Sequence, residues 1–172
     1  MIFESSETVS QLMFDHLVGS HSLGHGGFHG KDHWLRVLRN GREVALATGA
    51  NLRVVELFAI IHDSKRKNEN HDPDHGRRAA EYARMMQGVW FRLETAELEL
   101  LCNACLLHSD GLTRADLTVQ ACWDADRLDL GRVGIKPDPR YLCTSHAKQA
   151  HVIEAAYDRS LRLRQKAYPT MG

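Results

Sequence analysis

The segment CWDADRLDLGRVG, residues 122–134, places three aspartates beside a tryptophan and two leucines in a stretch with a helical apolar pattern. An unpaired carboxylate that faces a protein core is costly, so Asp124, Asp126 and Asp129 either all face water or are needed inside the fold. Other segments of the chain also carry ionisable side chains on apolar faces, which favours the second interpretation. The segment therefore predicts a bundle of helices around an internal polar site.

Length and charge limit the class of protein. With 172 residues, the chain is long enough to bury a core without disulfide or metal cross-links. Lys plus Arg and Asp plus Glu both number 22, so the formal charge is 0 and gives no support for a nucleic-acid partner. The first 19 residues are acidic and amphipathic, unlike a signal peptide, and no run reaches the roughly 20 apolar residues that cross a bilayer. We expect a single domain over residues 1–172 in a cytoplasmic protein that makes no membrane contact; its oligomeric state is not indicated.

Helical periodicity runs through the chain and strand signals are scarce, which predicts an all-α fold. The predicted helices cover residues 7–18, 31–48, 52–63, 74–87, 95–108, 116–130 and 145–166. Thr113 and Asp116 resemble a capping box for the sixth of them. Cys102 and Cys105 lie within an apolar helical run, which favours buried thiols over a zinc knuckle, whose ligands need a turn between them.

Two connections between predicted helices have unusual compositions. Residues 19–30, GSHSLGHGGFHG, are rich in glycine and histidine and are predicted to form a loop that is a candidate lid over a site. Residues 64–73, SKRKNENHDP, begin with a serine and then three basic residues, Lys65, Arg66 and Lys67. These three side chains are either a solvated surface or a source of positive charge next to a site.

Five predicted helices each place an imidazole or a carboxylate on the face that their apolar residues mark as buried. The residues are His33, His62, His75, His108 and Asp126. A single histidine on an apolar face is usually a hydrogen-bonded core residue. Several histidines at helix ends, together with inward carboxylates, favour a common cause. A bound divalent cation offsets the desolvation of carboxylates and takes neutral imidazoles as ligands. Asp124 and Asp129 are then expected to orient a ligand, bind substrate or face solvent.

Three motifs in this order carry a resemblance to a known family: HGKDHWLRV with His33, AIIHDSK with His62 and Asp63, and CWDADRLDLG with Asp126. They span residues 29–135, and the set resembles the HD-domain superfamily of metal-dependent phosphohydrolases. The resemblance implies a compact all-α bundle with a metal site between helices, on which the C-terminal helix, residues 145–166, packs. It also implies that these four residues are metal ligands.

Members of this superfamily with two additional histidines before the last aspartate often bind two metal ions. His75 and His108 occupy suitable positions for a second ion, although His71 could replace His75. Alternatively, His75 serves as a general acid or a phosphate contact and only one ion binds. The chain lacks the HDxxED motif of the alarmone hydrolases and the GYP motif of the cyclic-dinucleotide phosphodiesterases, so neither specialised substrate is supported.

The expected chemistry is hydrolysis of a phosphate ester or anhydride by one or two divalent ions. Oxygen and imidazole ligands without thiolate favour Mn, Fe, Ni or Mg. The substrate is expected to be a small phosphorylated compound, and a nucleotide by resemblance. The residues expected to act in catalysis are Asp63, His75, Arg127, Lys65 and Arg66. Arg127 is alternatively a surface ion pair. Two other functions remain open, a di-iron oxygenase with the same six ligands and a non-catalytic module that binds a ligand.

Overall fold

A computed structural model describes residues 2–23 and 27–167 of the chain, with side chains as far as Leu161. The helices are α1 (Gln11–Ser20), α2 (Lys31–Thr48), α3 (Leu52–Ile61), α4 (His75–Met86), α5 (Thr95–Leu107), α6 (Leu117–Arg127) and α7 (Ala150–Ala167). Two 3₁₀ turns, Leu130–Val133 and Pro139–Tyr141, connect α6 to α7. Within the described ranges there is no β-strand, so the prediction of an all-α fold is confirmed.

Most helices lie close to their predicted positions. Where a helix begins at a different residue, a capping side chain explains the difference. Helix α2 covers the predicted residues and ends at Gly49, whose φ of 80° is readily adopted by glycine. Helix α1 begins later than predicted because the Ser10 side chain caps it by accepting a hydrogen bond from the Met13 amide. The capping box predicted from Thr113 and Asp116 is wrong. Asp116 is itself the N-cap of α6, and its short carboxylate accepts from the Thr118 amide.

Helix α7 also starts later than residue 145, since the chain turns over residues 144–149. Thr144 organises this turn: its hydroxyl oxygen accepts from the Ala147 amide at 3.2 Å, and its carbonyl accepts from the Lys148 amide. The helix then packs on the first 3₁₀ turn and on α2. That packing requires a glycine, because a Cβ at Gly131 would lie 2.9 Å from the Tyr157 ring. The extent of the domain stays a prediction.

Helix α3 lies at the centre of the molecule. Its residues from Val54 to Ile61 are buried, and it packs against α2, α5 and α6. Helix α2 approaches it at Gly41, where a Cβ would lie 2.6 Å from a methyl carbon of Val55. Helices α4 and α5 form a second close pair, in which a Cβ at Gly76 would lie 2.6 Å from the Cys105 carbonyl oxygen. These two contacts set how closely α2 approaches α3 and how closely α4 approaches α5.

The prediction for the cysteines of α5 is confirmed. Cys102 and Cys105 are buried free thiols on α5, as predicted, and burial raises the pKa of both. In the part of the chain that the structure describes, none of the helices combines the length and the hydropathy needed to traverse a bilayer.

Candidate metal centre

Four buried histidines meet at the centre of the bundle because each lies at or near the end of a helix. His33 is in the first turn of α2 and His75 is the first residue of α4. His62 and His108 are the C-terminal caps of α3 and α5. All four side chains are almost completely buried. The helix ends therefore bring polar groups together where helix interiors would contribute only apolar ones.

Each of the four rings has its Nδ1 atom engaged by an oxygen acceptor. His33 Nδ1 lies 2.7 Å from Asp129 Oδ2, and His62 Nδ1 lies 3.1 Å from the Phe58 carbonyl oxygen. The Nδ1 atoms of His75 and His108 contact the carbonyl oxygens of Asp72 and Cys105. In a neutral ring, an Nδ1 that donates leaves Nε2 as an acceptor. All four Nε2 lone pairs are therefore available at the centre of the site.

Asp63 lies between the four rings and faces them with both carboxylate oxygens. Its Oδ2 is 3.6 Å from Nε2 of His33 and 3.6 Å from Nε2 of His62. Its Oδ1 is 3.4 Å from His75 Nε2 and 3.7 Å from His108 Nε2. Two triads that share Asp63 can thus each hold a metal ion. Because each triad uses a different oxygen, this carboxylate is suited to bridge two ions.

The nitrogen atoms in the centre are close enough for one cation to interact with two of them. His33 Nε2 and His62 Nε2 are 3.1 Å apart, so in neutral rings their lone pairs repel each other. Burial lowers the pKa of His62 to about 3, which keeps this ring neutral. Neutral imidazole nitrogens placed this close together could serve as ligands of one divalent ion.

The second triad also contains two imidazole nitrogens close together. His75 Nε2 and His108 Nε2 are 2.8 Å apart. Burial alone would lower the pKa of His108, but the nearby negative charge of Asp63 outweighs it and raises this pKa. Asp63 thus attracts a proton to the position where a cation would interact with the same atoms. Burial would likewise raise the pKa of Asp63, yet His62, His108 and His33 hold it well below its usual range.

Asp126 completes the centre from the last turn of α6. Its Oδ1 lies 3.5 Å from His33 Nε2 and 3.9 Å from His62 Nε2. This oxygen is buried and has no hydrogen-bond partner among the described residues. Burial would raise the pKa of Asp126, but Arg132 and the histidines hold it below its usual range, so the group is a carboxylate. A buried carboxylate oxygen without a donor, beside imidazole lone pairs, fits a divalent cation.

The comparison with solved structures gives this arrangement a context. The chain resembles a predicted HD superfamily hydrolase from an uncultured Thermotogales bacterium, with a TM-score of 0.68 and 23% sequence identity. The match covers 91% of this chain and 90% of the other. This protein has the HD-domain fold. Neither the protein-family models nor the curated proteins include a match to the sequence.

Within the HD-domain fold, the aspartates of the opening segment have three separate positions, and none of the three faces water freely. Asp126 reaches the centre, whereas Asp129 holds the His33 ring and also accepts a hydrogen bond from Arg36 Nε. Asp124 points the other way. Its two oxygens accept from the Cys143 amide at 2.6 Å and from the amide and hydroxyl of Thr144 at 2.8 and 2.7 Å. Asp129 therefore orients the His33 ring, and Asp124 fixes a loop.

The basic residues predicted to contact phosphate lie in different places. The Lys65 ammonium lies 3.5 Å from the centre of the Tyr82 ring, against its π face, so whether Lys65 contacts phosphate stays a prediction. Arg66 is buried at the centre, with Nη1 3.5 Å from Asp63 Oδ1. The prediction of a solvated basic run is thus wrong for Arg66.

Arg127 does not form a surface ion pair. It is buried, and its Nη1 donates to the Tyr141 carbonyl oxygen at 2.8 Å. The sequence reasoning missed Arg132, whose Nη2 lies 3.6 Å from Asp126 Oδ1 and whose Nε and Nη1 are buried without a hydrogen-bond partner in the described part of the chain. The sequence did contain a signal for a role of Arg132 at the site, because this residue follows the DADRLD motif within two turns. The contribution of each of these residues to catalysis stays a prediction.

Two loops around the centre bear on the choice between His71 and His75 and on the candidate lid. His71 is exposed and lines the polar side of the centre, whereas His75 is the histidine that forms the second triad with Asp63 and His108. Of the candidate lid, residues 19 and 20 belong to α1 and residues 24–26 lie outside the described residues. His29 Nδ1, at the end of this segment, contacts Glu69 Oε2 at 2.6 Å.

Two cavities open beside the centre. One, of about 410 Å³, has polar walls that include Arg66, Arg132 and Asn70. The other, of about 500 Å³, has mainly apolar walls. Both are lined by His108, Ser109 and Asp126, so both reach the same centre from different sides.

Proposed function

We propose that the protein is a metal-dependent phosphohydrolase that acts on a small phosphorylated compound, with a nucleotide as the first candidate. The observation that carries this proposal is the convergence of four Nε2 atoms and two carboxylates beside a cavity that contains two arginines. Buried imidazole and carboxylate ligands suit a divalent ion, and guanidinium groups suit phosphate oxygens. The HD-domain fold is consistent with this activity, since the solved structure that resembles the chain is described as a predicted hydrolase.

The residues of the centre fit one or two divalent ions of the kind that accept oxygen and imidazole ligands. His33, His62 and Asp126 would hold the first ion with Asp63 Oδ2. His75 and His108 would hold the second with Asp63 Oδ1. Ions in these positions supply Lewis acidity, which stabilises negative charge on a phosphoryl oxygen and favours deprotonation of the attacking water.

Two arginines of the polar cavity would bind the phosphoryl group. Arg66 is held by the carbonyl oxygens of Asn68 and Asn70, at 3.1 and 2.8 Å, so its guanidinium is fixed before substrate arrives. Two buried nitrogen atoms of Arg132, Nε and Nη1, have no acceptor among the described residues, and phosphate oxygens would satisfy them. Such fixed donors stabilise the charge that develops in the transition state at little reorganisation cost.

The polar cavity also favours this proposal over a di-iron oxygenase with the same six ligands. A cavity with two guanidinium groups is suited to an anionic, oxygen-rich substrate. The oxygenase nevertheless predicts a distinct result, namely oxygen consumption by the iron-loaded protein. The alternative of a ligand-binding module without catalysis predicts substrate binding without release of phosphate.

The test is hydrolysis by metal-stripped protein that has been reloaded separately with Mn²⁺, Fe²⁺, Ni²⁺ or Mg²⁺. Nucleotides and simple phosphodiesters are supplied, and phosphate, pyrophosphate and oxygen are measured. Release of phosphate or pyrophosphate that depends on the ion supports the proposal. Oxygen uptake without such release, or substrate binding with no product under any ion, would overturn it.

Arg132→Ala gives a sharper version of this test. Loss of one preorganised donor is expected to lower kcat by about a hundredfold. The matched control is Arg77→Ala, because Arg77 is an exposed arginine paired with Glu81 on α4 and lies outside the centre. Metal content is measured for both variants, and unchanged kinetics in Arg132→Ala would remove this residue from the proposed phosphate site.

A further inference from the structure

One wall of the polar cavity is formed by a loop. Residues 66 and 70–73, which belong to the connection between α3 and α4, line this side of the cavity. Arg66 is the proposed phosphate contact in this wall, and its guanidinium is held by the carbonyl oxygens of Asn68 and Asn70. Because a loop lacks the regular hydrogen bonds of a helix, the direction of this guanidinium depends on the contacts that fix the loop.

Glu69 fastens the middle of this loop to the segment that precedes α2. Its Oε2 accepts a hydrogen bond from the Phe28 amide at 3.2 Å and lies 2.6 Å from His29 Nδ1. An ionised carboxylate only accepts hydrogen bonds, so the His29 ring donates from Nδ1. The two carbonyl groups that hold Arg66 belong to the residues on either side of Glu69, so a contact that fixes Glu69 also restrains both of them.

The segment before α2 leaves room for this carboxylate. Gly27 has a φ of 102°, which favours glycine, and a Cβ at this position would overlap with Glu69 Oε1. A second hydrogen bond joins the same two segments, since the Ser22 hydroxyl donates to the Arg66 carbonyl oxygen at 2.6 Å. The loop wall is therefore held from outside at Arg66 itself and at Glu69, three residues further along the chain.

We propose that Glu69 is a positioning residue, which fixes the loop wall of the polar cavity so that the Arg66 guanidinium is aimed at a bound phosphoryl group. Glu69 acts through Arg66 and is not itself a ligand of the metal centre. The inference rests on the proposed function for the phosphate site, but it concerns the binding of a phosphoryl group and is testable without turnover.

The experiment measures the affinity of metal-reloaded protein for methylphosphonate by calorimetry. This probe carries phosphoryl oxygens but has no ester bond to hydrolyse. Glu69→Ala should weaken binding about tenfold, because a donor that is no longer held in place is misdirected. Glu69→Gln keeps an oxygen acceptor for the Phe28 amide and for His29, so it should recover most of the affinity.

Glu154→Ala is the matched control, because Glu154 is an exposed glutamate of α7 that pairs with Lys136. This variant should bind methylphosphonate as the wild type does. Metal content is measured for every variant by elemental analysis, and we expect Glu69→Ala to keep the metal content of the wild type.

A double-mutant cycle separates positioning of Arg66 from a general effect on the fold. Arg66→Ala should weaken methylphosphonate binding at least as much as Glu69→Ala does, and the double variant should show no further loss. Gly27→Ala disturbs the same contact from the other side. It should weaken binding in the wild-type background but not in the Glu69→Ala background, where the carboxylate is absent.

Additive losses in the cycle between Arg66 and Glu69 would overturn the inference, because Glu69 would then act independently of Arg66. Unchanged affinity in Glu69→Ala would also overturn it, as would a loss of metal from this variant, since Glu69 would then act on the centre itself. The expected results of the cycle without release of phosphate or pyrophosphate from any substrate tested would overturn the proposed function alone.

Discussion

Each charged residue of the segment DADRLD has a different partner, although the residues differ little in sequence context. Asp126 could be predicted as part of the centre because it follows an apolar helical stripe. The partners of Asp124 and Asp129 could not, because they are distant in the chain: Asp129 contacts His33, 96 residues away, and Asp124 contacts Thr144, 20 residues away. Periodicity indicates which side of a helix is buried, but not what the opposite helix or loop presents to it.

The two flanking aspartates should therefore differ when they are altered. Asp129→Asn removes the charge that holds the His33 ring and is expected to weaken metal affinity about 10-fold to 100-fold, as loss of a residue that orients a ligand does. Asp124→Asn places an amide among three donors and is expected to lower the free energy of unfolding by about 1–3 kcal/mol without changing metal affinity. Chelator competition and denaturant unfolding measure the two effects. An equal loss of metal affinity in both variants would contradict these assignments.

The carboxylate of Asp63, which both triads share, leads to a second prediction. We expect close to two ions per chain in anaerobically purified protein, falling to about one in His75→Ala and in His108→Ala. Asp63→Ala should retain almost no metal, because Asp63 belongs to both triads. His151→Ala is the control, since His151 is exposed on α7. Elemental analysis of the four variants decides the question, and one ion in the wild type that neither triad substitution affects would leave His75 and His108 as groups outside the coordination.

At the scale of helices, apolar periodicity predicts the approximate position of each α-helix in the described ranges, and the differences arise at helix ends, where capping side chains determine the first and last residues. The two cavities could not be predicted in this way. Their walls come from segments with no periodic pattern, such as residues 135–142, and their shape depends on how α6 holds those segments. The close approach of α4 to α5 was equally hidden, because a glycine such as Gly76 has no side chain to contribute to a pattern.

Gly76 gives a prediction at this scale. A Cβ at this position would meet backbone carbonyl oxygens of Cys105 and Leu106 at 2.6 and 2.8 Å, so Gly76→Ala must push α4 away from α5. His75 and His108, whose Nε2 atoms are 2.8 Å apart, would then separate. We expect this variant to lose the second ion and to unfold at a lower temperature, by elemental analysis and calorimetry.

Gly19→Ala is the matched control for this substitution. Gly19 lies near the end of α1, where a Cβ would meet no atom within 4 Å, and its φ is not positive. Replacement by alanine restricts the unfolded chain and is expected to stabilise the protein by about 0.4–1 kcal/mol with no effect on metal content. Full metal content in Gly76→Ala would show that the contact between α4 and α5 does not set the geometry of the second triad.

At the scale of the whole molecule, the centre joins two groups of helices. His33, His62 and Asp126 belong to the packed set α2, α3 and α6, whereas His75 and His108 belong to the pair α4 and α5. Asp63, directly after α3, contacts both. The largest buried side chains, including Trp34, Leu57 and Trp123, form a hydrophobic core that carries no ligand atoms, although Phe58 of this core stacks on the His62 ring. Folding by apolar burial and closure around an ion are therefore distinct contributions to stability.

This separation predicts how the protein responds to metal removal. Chelation should leave the helical circular dichroism and a cooperative thermal transition intact, because the core does not depend on the ion. It should also lower the Tm, since Asp63 and Asp126 are then buried carboxylates without a cation. Re-addition of the ion should raise the Tm progressively, with a stabilisation of about 2.7 kcal/mol when the free ion is a hundredfold above its Kd. Asp63→Ala should show no stabilisation by added ion, because Asp63 belongs to both triads, whereas a loss of helical signal on chelation of the wild type would mean that the fold itself depends on the ion.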